Sequence, residues 1–261
     1  MPSLLVEQYN GVCTLTLNRP HVRNALNGDT MLALGEAVRA CDEQGEIHVI
    51  VITGADGAFS SGADISAAVQ LGVTPADAHS LLTEAYAPTL KAIRACPWPV
   101  IAAVDGMAAG LGCDLALACD LRLVSERGAF AELFIRVGLI PDGGGTYLLP
   151  RLVGLGKAME MMLTGETVNA NESLTFGLVN KVYPTVSFYA DVTTYAETLA
   201  QQAPLALIRG KRAMLAALND RSYDEALARE ADYQREILES DDGFEGFRAF
   251  MEKRTPHWKG F

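Results

Sequence analysis

The sequence predicts an α/β protein whose last part is wholly helical. Between residues 4 and 125, short runs of aliphatic residues alternate with longer segments that carry apolar residues at helical spacing, which is typical of α/β architecture. After Pro204 every predicted segment is helical and highly charged. We therefore expect a core at residues 1–200 and a separate helical region at residues 201–261.

The first predicted elements are two strands joined by a tight turn. Leu4 to Tyr9 and Val12 to Leu17 have strand character, and the Asn10-Gly11 turn signal between them predicts a hairpin. A helix from Thr30 to about Glu43 follows, because its apolar residues fall on one stripe.

Later elements continue the same alternation. The predicted strands are His48 to Thr53, Val100 to Val104 and Leu121 to Ser125, and the predicted helices are Pro75 to Ala95, Gly112 to Ala118, Thr146 to Leu152, Leu155 to Leu163, Leu205 to Leu218, Tyr223 to Leu238 and Gly243 to Lys253. The C-terminal helices carry apolar stripes that a small isolated unit can hardly bury. We expect them to pack on the core or on another subunit.

Two glycine-rich loops each follow a predicted strand. Gly57 to Ile65 comes after the His48 to Thr53 run, and Asp105 to Asp114 comes after the Val100 to Val104 run. A backbone that carries small residues can bring its own N–H groups against a ligand, which stabilises an oxyanion without a side chain. Two donors to one oxygen need two such loops.

Composition and charge exclude several classes of partner. The chain has 261 residues and a formal net charge of −11, which argues against a nucleic-acid partner. Its apolar runs stop well before the ~20 residues of a membrane span, and no leader pattern opens it, so we expect a cytoplasmic protein without a membrane partner. Five scattered cysteines without a C-x-x-C pair indicate reduced core thiols.

Familiar catalytic motifs fail on their spacing. Gly110-Leu111-Gly112 begins like a dinucleotide fingerprint, but the third glycine falls at Leu115. The sequence around Ser60 lacks the G-x-S-x-G elbow of serine hydrolases. The four histidines lie far apart and show no metal-ligand spacing, so we expect no metal site.

Four motifs, taken together, resemble one known family. They are Leu17 to Pro20 with Arg23 to Leu26, Phe59 to Ile65, Gly110 to Leu115, and Gly138 to Gly144. In this order and spacing they are similar to the crotonase superfamily, the enoyl-CoA hydratase and isomerase fold, over essentially the whole chain. The resemblance implies a spiral of ββα turns, with residues 201–261 as a helical region that builds a homotrimer or a homohexamer.

The resemblance also implies an acyl-CoA substrate and no further cofactor, since coenzyme A is part of that substrate. It assigns the two backbone N–H donors that grip the thioester carbonyl to Ala63 and Leu111. Contacts to the CoA moiety are implied for Arg23, Ala25, Ala63, Asp64, Ile65, Phe250 and Lys253. For Asp64 a capping role at the next helix is favoured over ligand contact, and Phe250 and Lys253 would act across a subunit boundary.

Carboxylates decide which reaction such a fold performs. Hydratases of the family use two glutamates around one water; here the first matches Asp114 and the second falls on Phe134. Glu132 lies two residues earlier and would need an irregular turn to take that place. Asp114 has the alternative of a first-turn acid favoured by the helix dipole.

Asp142 matches the single acid that enoyl-CoA isomerases and the phenylacetate-pathway ring isomerase carry in this loop. Its alternative role is that of a turn residue, since Pro-Asp-Gly is a turn signature. Apolar neighbours, namely Phe134, Leu139 and Ile140, should desolvate the Asp142 carboxylate and raise its pKa.

The leading hypothesis is therefore an isomerase that moves a double bond in an enoyl-CoA, with Asp142 as proton shuttle. An enoyl-CoA hydratase that uses Asp114 and a second acid is the alternative reaction. A catalytically silent acyl-CoA-binding paralogue is the alternative of another class. The resemblance implies that the segment between Asp64 and Ala87 lines the acyl pocket, so this segment is expected to determine which acyl group is accepted.

Overall fold

The computed structural model describes residues 2–43 and 45–260. Two sheets organise the described part of the chain. The strands are β1 (Leu4–Tyr9), β2 (Val12–Leu17), β3 (Val49–Gly54), β4 (Val100–Val104), β5 (Met107–Ala109), β6 (Leu121–Ser125), β7 (Ala129–Ala131), β8 (Thr167–Asn169) and β9 (Lys181–Tyr183). The larger sheet has the order β1-β2-β3-β4-β6-β9, and the smaller has the order β5-β7-β8.

Helices connect these strands and form the C-terminal region. They are α1 (Gly28–Glu43), α2 (Ile65–Gln70), α3 (Pro75–Leu81), α4 (Ala87–Ala95), α5 (Leu111–Ala118), α6 (Gly145–Thr164), α7 (Ala170–Thr175), α8 (Phe188–Ala200), α9 (Pro204–Ala217), α10 (Tyr223–Glu239) and α11 (Glu245–Glu252). A π-helical turn at Leu82–Tyr86 joins α3 to α4, so the predicted long helix is confirmed. Gly154 breaks α6 at the point where two helices were predicted.

The N-terminal hairpin is confirmed in position and register. Tyr9 pairs with Val12, and the connecting Asn10 and Gly11 have φ of 49° and 76°. Positive φ at both positions is what a two-residue type I′ turn requires. From β2 onward the large sheet is parallel, so each strand needs a crossover connection.

Those crossovers generate the predicted spiral. The chain leaves β4, forms β5 in the small sheet, returns through α5 to β6, and then forms β7 beside β5. Parallel bridges between Ser60 and Ala108 and between Leu26 and Ala63 extend this second layer toward the N-terminus. As a result, the glycine-rich loop after β3 lies next to the loop after β4.

The large sheet is covered on both faces, as is usual for parallel strands. Helices α1, α4 and α5 cover one face, and α8 covers the other with Phe188 and Val192 against Val49 and Ile101. Helix α8 and the short strands β5, β7, β8 and β9 are absent from the sequence prediction. All five cysteines are buried and unbridged, as predicted.

Helix α9 of the C-terminal region contacts the core through apolar and polar side chains, and Ile208 packs against the core. The Lys211 ammonium on α9 donates to the Trp98 carbonyl at 2.8 Å and pairs with Asp120 at 2.6 Å. Helix α11 leaves large apolar side chains uncovered in the single chain, among them Phe247 and Phe250, which are 62% and 82% exposed. None of the described helices has the length and apolar composition that crossing a bilayer requires.

Candidate active site

The loop after β3 is held by Asn24. The Asn24 side-chain amide donates to the carbonyls of Ala55 at 2.9 Å and Ala58 at 2.7 Å. The main-chain carbonyl of Asn24 accepts the Ser60 hydroxyl at 2.8 Å. Asn24 adopts φ of 55°, a left-handed conformation that asparagine tolerates well. The sequence prediction gave this residue no role. The asparagine itself was the available signal in the sequence, because this residue type tolerates the left-handed conformation. Arg23 beside it also has positive φ, at 51°.

The two serines of this loop hold its conformation. Ser60 is fully buried, and its hydroxyl also accepts the Gly62 N–H at 3.2 Å. The Ser61 hydroxyl donates to the Val22 carbonyl at 3.1 Å. Since both hydroxyl protons are used internally, neither serine is arranged as a nucleophile.

The loops after β3 and β4 are in main-chain contact. The Ser60 N–H donates to the Met107 carbonyl and the Ala109 N–H donates to the Ser60 carbonyl, both at 3.0 Å. A Cβ atom on Gly62 would lie 2.7 Å from the Ala109 oxygen and 3.5 Å from the Leu111 nitrogen. This close approach brings the segments around Ala63 and Leu111 together.

The N–H groups of Ala63 and Leu111 make no hydrogen bond to any other described residue. Leu111 is the first residue of α5, and the N–H groups of a first helical turn point away from the helix. The partial positive charge of the helix N-terminus adds to the attraction for an anion. Gly110, with φ of 51° and ψ of −124°, makes the turn that precedes Leu111. The arrangement can hold a developing oxyanion.

Asp114 lies one turn into α5 and is fully buried. Its Oδ2 accepts the Gly143 N–H at 2.8 Å, and its Oδ1 has no hydrogen-bond partner among the described residues. A Cβ atom on Gly145 would approach this carboxylate to 2.2 Å. Burial, and then the charge of Glu132, hold the pKa of Asp114 well above its usual range.

Glu132 lies in the same cluster of carboxylates as Asp114. The sequence prediction treated a catalytic role of Glu132 as a minor alternative. Glu132 follows β7 and precedes a 3-10 turn at Leu133–Val137, so the required irregular turn is present. Its side chain is buried beside the Cys113 thiol, which is a weak hydrogen-bond donor to the carboxylate, and no N–H or O–H group of the described residues donates to either oxygen. Burial is the main cause that raises the pKa of Glu132 to about 7, and the charge of Asp142 adds to it.

Asp142 is the accessible member of these three carboxylates. It is exposed in the single chain, whereas Asp114 and Glu132 are buried. Enough protein surrounds its carboxyl group to raise the pKa to about 6 by desolvation, which confirms the predicted direction. Leu139 and Ile140 are 54% and 72% exposed, so they contribute less to this burial than the sequence suggested.

Asp64 caps helix α2, as the sequence analysis favoured. Its carboxylate accepts the Ala67 N–H at 3.0 Å and pairs with the Arg19 guanidinium at 2.8 Å. Desolvation opposes these contacts, but the hydrogen bonds and the arginine charge leave the pKa of Asp64 below its usual value. The carboxylate is therefore already engaged within the protein.

The other predicted CoA contacts fall into two groups. Arg23 is exposed beside the first loop, where its carbonyl accepts the Ser61 N–H at 3.0 Å; Ala25 is buried, and Ile65 is 50% exposed at the start of α2. Phe250 is exposed on α11, and Lys253 is exposed at the position that directly follows this helix. Their participation from a neighbouring subunit stays a prediction.

Comparison with known proteins agrees with this geometry. The model of the enoyl-CoA hydratase/isomerase family matches residues 7–260. The chain belongs to this family. The predicted resemblance and the predicted fold are thereby confirmed, and membership of the family identifies the chain as an enoyl-CoA hydratase or isomerase.

Similar members of the family are named as hydratases. A probable enoyl-CoA hydratase of Rhodobacter capsulatus is 41% identical over 96% of this chain and 95% of its own length. The 2,3-dehydroadipyl-CoA hydratase of Escherichia coli is 35% identical over the whole of both chains. The crystal structure of an enoyl-CoA hydratase from Bacillus anthracis superposes with a TM-score of 0.95 at 30% identity, over the full length of both chains.

Proposed function

We propose that this member of the family moves a double bond of an enoyl-CoA from the β,γ to the α,β position. The observation that carries the proposal is the accessibility of Asp142, whose pKa is about 6, beside two buried carboxylates. A group that takes a proton from one carbon and returns it to another must reach the substrate. It also needs a pKa near neutrality.

In the first step the Asp142 carboxylate removes a proton from the α-carbon. The electron pair of that C–H bond moves toward the thioester carbonyl, and a dienolate forms with its negative charge on the oxygen. The N–H groups of Ala63 and Leu111 are proposed to hold this oxygen. One such preorganised donor contributes a factor of ~10²–10³ in rate.

In the second step the Asp142 carboxylic acid returns the proton to the γ-carbon. The α,β double bond forms, the thioester carbonyl is restored, and Asp142 is again ionised. No water is consumed. An enolate held by main-chain donors needs neither a metal nor a redox group, so we propose that the reaction uses no cofactor beyond the CoA of the substrate.

Residues near the first loop are proposed to bind the CoA moiety. Arg23 supplies a cation for its phosphates, while Ala25 and Ile65 flank the loop that carries Ala63. The uncovered aromatic face of α11 with Phe250, and Lys253 just after the helix, support assembly into trimers or hexamers in which one subunit completes the CoA site of another. We propose a cytoplasmic enzyme.

The pH dependence of isomerisation tests the role of Asp142. The carboxylate is the active form, and burial raises its pKa to about 6. Activity should therefore be full above pH 7 and fall as pH decreases through about 6, by ~10-fold per unit once below it. The measurement is kcat/KM for isomerisation between about pH 4.5 and 8. Activity that stays constant down to about pH 4.5, as expected for a carboxylate with the ordinary aspartate pKa of ~3.9, would contradict the assignment.

Hydration is the second candidate function, and Glu132 is the observation that favours it. The Glu132 carboxyl group is buried next to Asp114, and no N–H or O–H group in the described part of the chain donates a hydrogen bond to it. Two acids placed together in this way are of the kind that activates a water. The hydratase names of similar proteins support the same reading.

Glu132→Gln separates the two reactions. Isomerisation by Asp142 should be nearly unchanged, whereas hydration of crotonyl-CoA that uses Glu132 would fall by about 10²-fold or more. The two activities are measured on one enzyme preparation. Retained isomerisation supports the proposal, and equal loss of both reactions would contradict it.

The same variant has a predicted effect on stability. Burial raises the pKa of Glu132 from 4.5 to about 7, so the folded state holds this proton more tightly than the unfolded chain. Its ionisation therefore removes stability as pH rises between these values, by about 3 kcal/mol at pH 8. Glu132→Gln lacks this loss, so its Tm relative to the wild type should increase from pH 5 to pH 8. Thermal melts at both pH values check the sign.

A further inference from the structure

Tyr86 is a buried phenol that no step above uses. It ends the π-helical turn Leu82–Tyr86 between α3 and α4, and its side chain is 3% exposed. A π-helical turn adds a residue to the helix and rotates the positions on either side of it relative to one another. Such turns occur frequently at functional sites.

The Tyr86 hydroxyl donates to the Leu26 carbonyl at 3.1 Å. The same carbonyl accepts the Asp64 N–H at 3.0 Å, while the Leu26 N–H donates to the Gly62 carbonyl at 2.8 Å. Leu26 therefore grips the main chain on both sides of Ala63, with which it forms a parallel bridge. The Tyr86 phenol is therefore the third group hydrogen-bonded to the Leu26 main chain, besides Gly62 and Asp64.

The surroundings keep this phenol a donor. Burial raises the pKa of Tyr86 to about 12, and the charges of Asp142 and Asp64 act in the same direction. The hydroxyl thus stays protonated throughout the pH range in which Asp142 titrates.

We propose that Tyr86 is a positioning residue that fixes the orientation of the Ala63 N–H toward the thioester oxygen. The proposal rests on the oxyanion role of Ala63 given above. Tyr86 acts through Leu26: its hydrogen bond immobilises the carbonyl that anchors Asp64, and the peptide plane of Ala63 is held between the two anchored neighbours. A donor misplaced by 1 Å can cost ~10²-fold in rate.

Tyr86→Phe tests this role, since it removes the hydroxyl and retains the ring. We expect kcat to fall by about 10- to 100-fold, with KM changed by less than about twofold because the hydrogen bond to the thioester oxygen strengthens mainly as charge develops in the transition state. The decisive readout is the carbonyl stretching band of a bound acyl-CoA carrying ¹³C at the thioester carbon. In the variant this band should shift less toward low frequency.

Thr89→Val is the matched control. The Thr89 hydroxyl, also buried and one helical turn away, donates to the Met31 carbonyl of α1 at 2.7 Å, so this variant too removes one hydroxyl-to-carbonyl bond. It should leave kcat and the band unchanged. A wild-type band without a low-frequency shift overturns the oxyanion role itself, whereas a shifted wild-type band that Tyr86→Phe retains overturns the Tyr86 proposal.

A second variant keeps the test valid if Tyr86→Phe folds poorly. Replacement of Tyr86 by 3-fluorotyrosine preserves the shape of the side chain and makes the phenol a stronger donor. The band should then move further to low frequency than in the wild type. An unchanged band and unchanged kcat with this residue overturn the proposal.

Discussion

Replacing Asp142 by Asn is expected to reduce isomerisation by about 10³-fold, within the range that a positioned general base contributes. The amide has nearly the same shape as the carboxylate but cannot accept the α-proton. Because Asp142 is exposed, the fold should be retained. Substrate affinity should change little.

The loss is measured as conversion of a 3-enoyl-CoA and as exchange of its α-proton with D₂O. Asp224→Asn, at an exposed position in the first turn of α10, provides the same substitution far from the carboxylate group. It should leave both rates unchanged. Undiminished α-proton exchange in Asp142→Asn would remove Asp142 from the mechanism.

Gly62→Ala is expected to have the second largest effect. Gly62 has φ of +96°, and an added Cβ would lie 2.7 Å from the Ala109 oxygen, so the two loops must separate or twist. The Ala63 and Leu111 N–H groups would no longer converge on one oxygen, and kcat should fall by about 10²-fold. Backbone strain should lower the free energy of unfolding by about 1–3 kcal/mol.

Gly72→Ala separates the effect of backbone strain from the effect of the steric contact with the Ala109 oxygen. Gly72 also has positive φ, at +64°, but a Cβ there meets no atom within 4 Å. Gly72→Ala should lower the free energy of unfolding by about the amount that backbone strain alone contributes in Gly62→Ala. Its activity should be near that of the wild type. Equal activities in the Gly62 and Gly72 variants would contradict the close approach of the two loops as a requirement for catalysis.

Elements with a long, regular pattern were predictable from sequence. The N-terminal hairpin, the parallel strands β3, β4 and β6, and the long helix that ends before Pro97 carry clear periods or turn residues. Helix α8 was missed although Phe188, Val192, Ala196 and Ala200 recur every fourth residue and pack on the sheet. That signal was available.

Short irregular segments were not predictable in the same way. Strand β7 has three residues, and the 3-10 turn after it has no apolar period, so the sequence does not indicate that Glu132 approaches Asp114. The 3.6-residue apolar period that predicts helices likewise does not reveal the rotation that the π-helical turn gives Tyr86. Both residues obtain their surroundings from contacts between segments distant in sequence.

The two glycine-rich loops were predictable from the sequence only in part. Their glycines indicated close main-chain approach, but not which segments would meet. The bridge between Ser60 and Ala108 supplies that information, because it depends on the second layer that the spiral builds. Residue type therefore predicted the chemistry of the site, while the topology determined which groups share it.

The central claim is most directly tested by assaying the purified wild-type protein with a 3-enoyl-CoA and with crotonyl-CoA side by side. The proposed mechanism predicts rapid conversion of the 3-enoyl-CoA to its conjugated 2-enoyl isomer and comparatively slow hydration of crotonyl-CoA. Rapid hydration of crotonyl-CoA without conversion of the 3-enoyl-CoA would contradict isomerisation. Turnover of neither, with binding of both, would contradict catalysis itself and leave an acyl-CoA-binding protein.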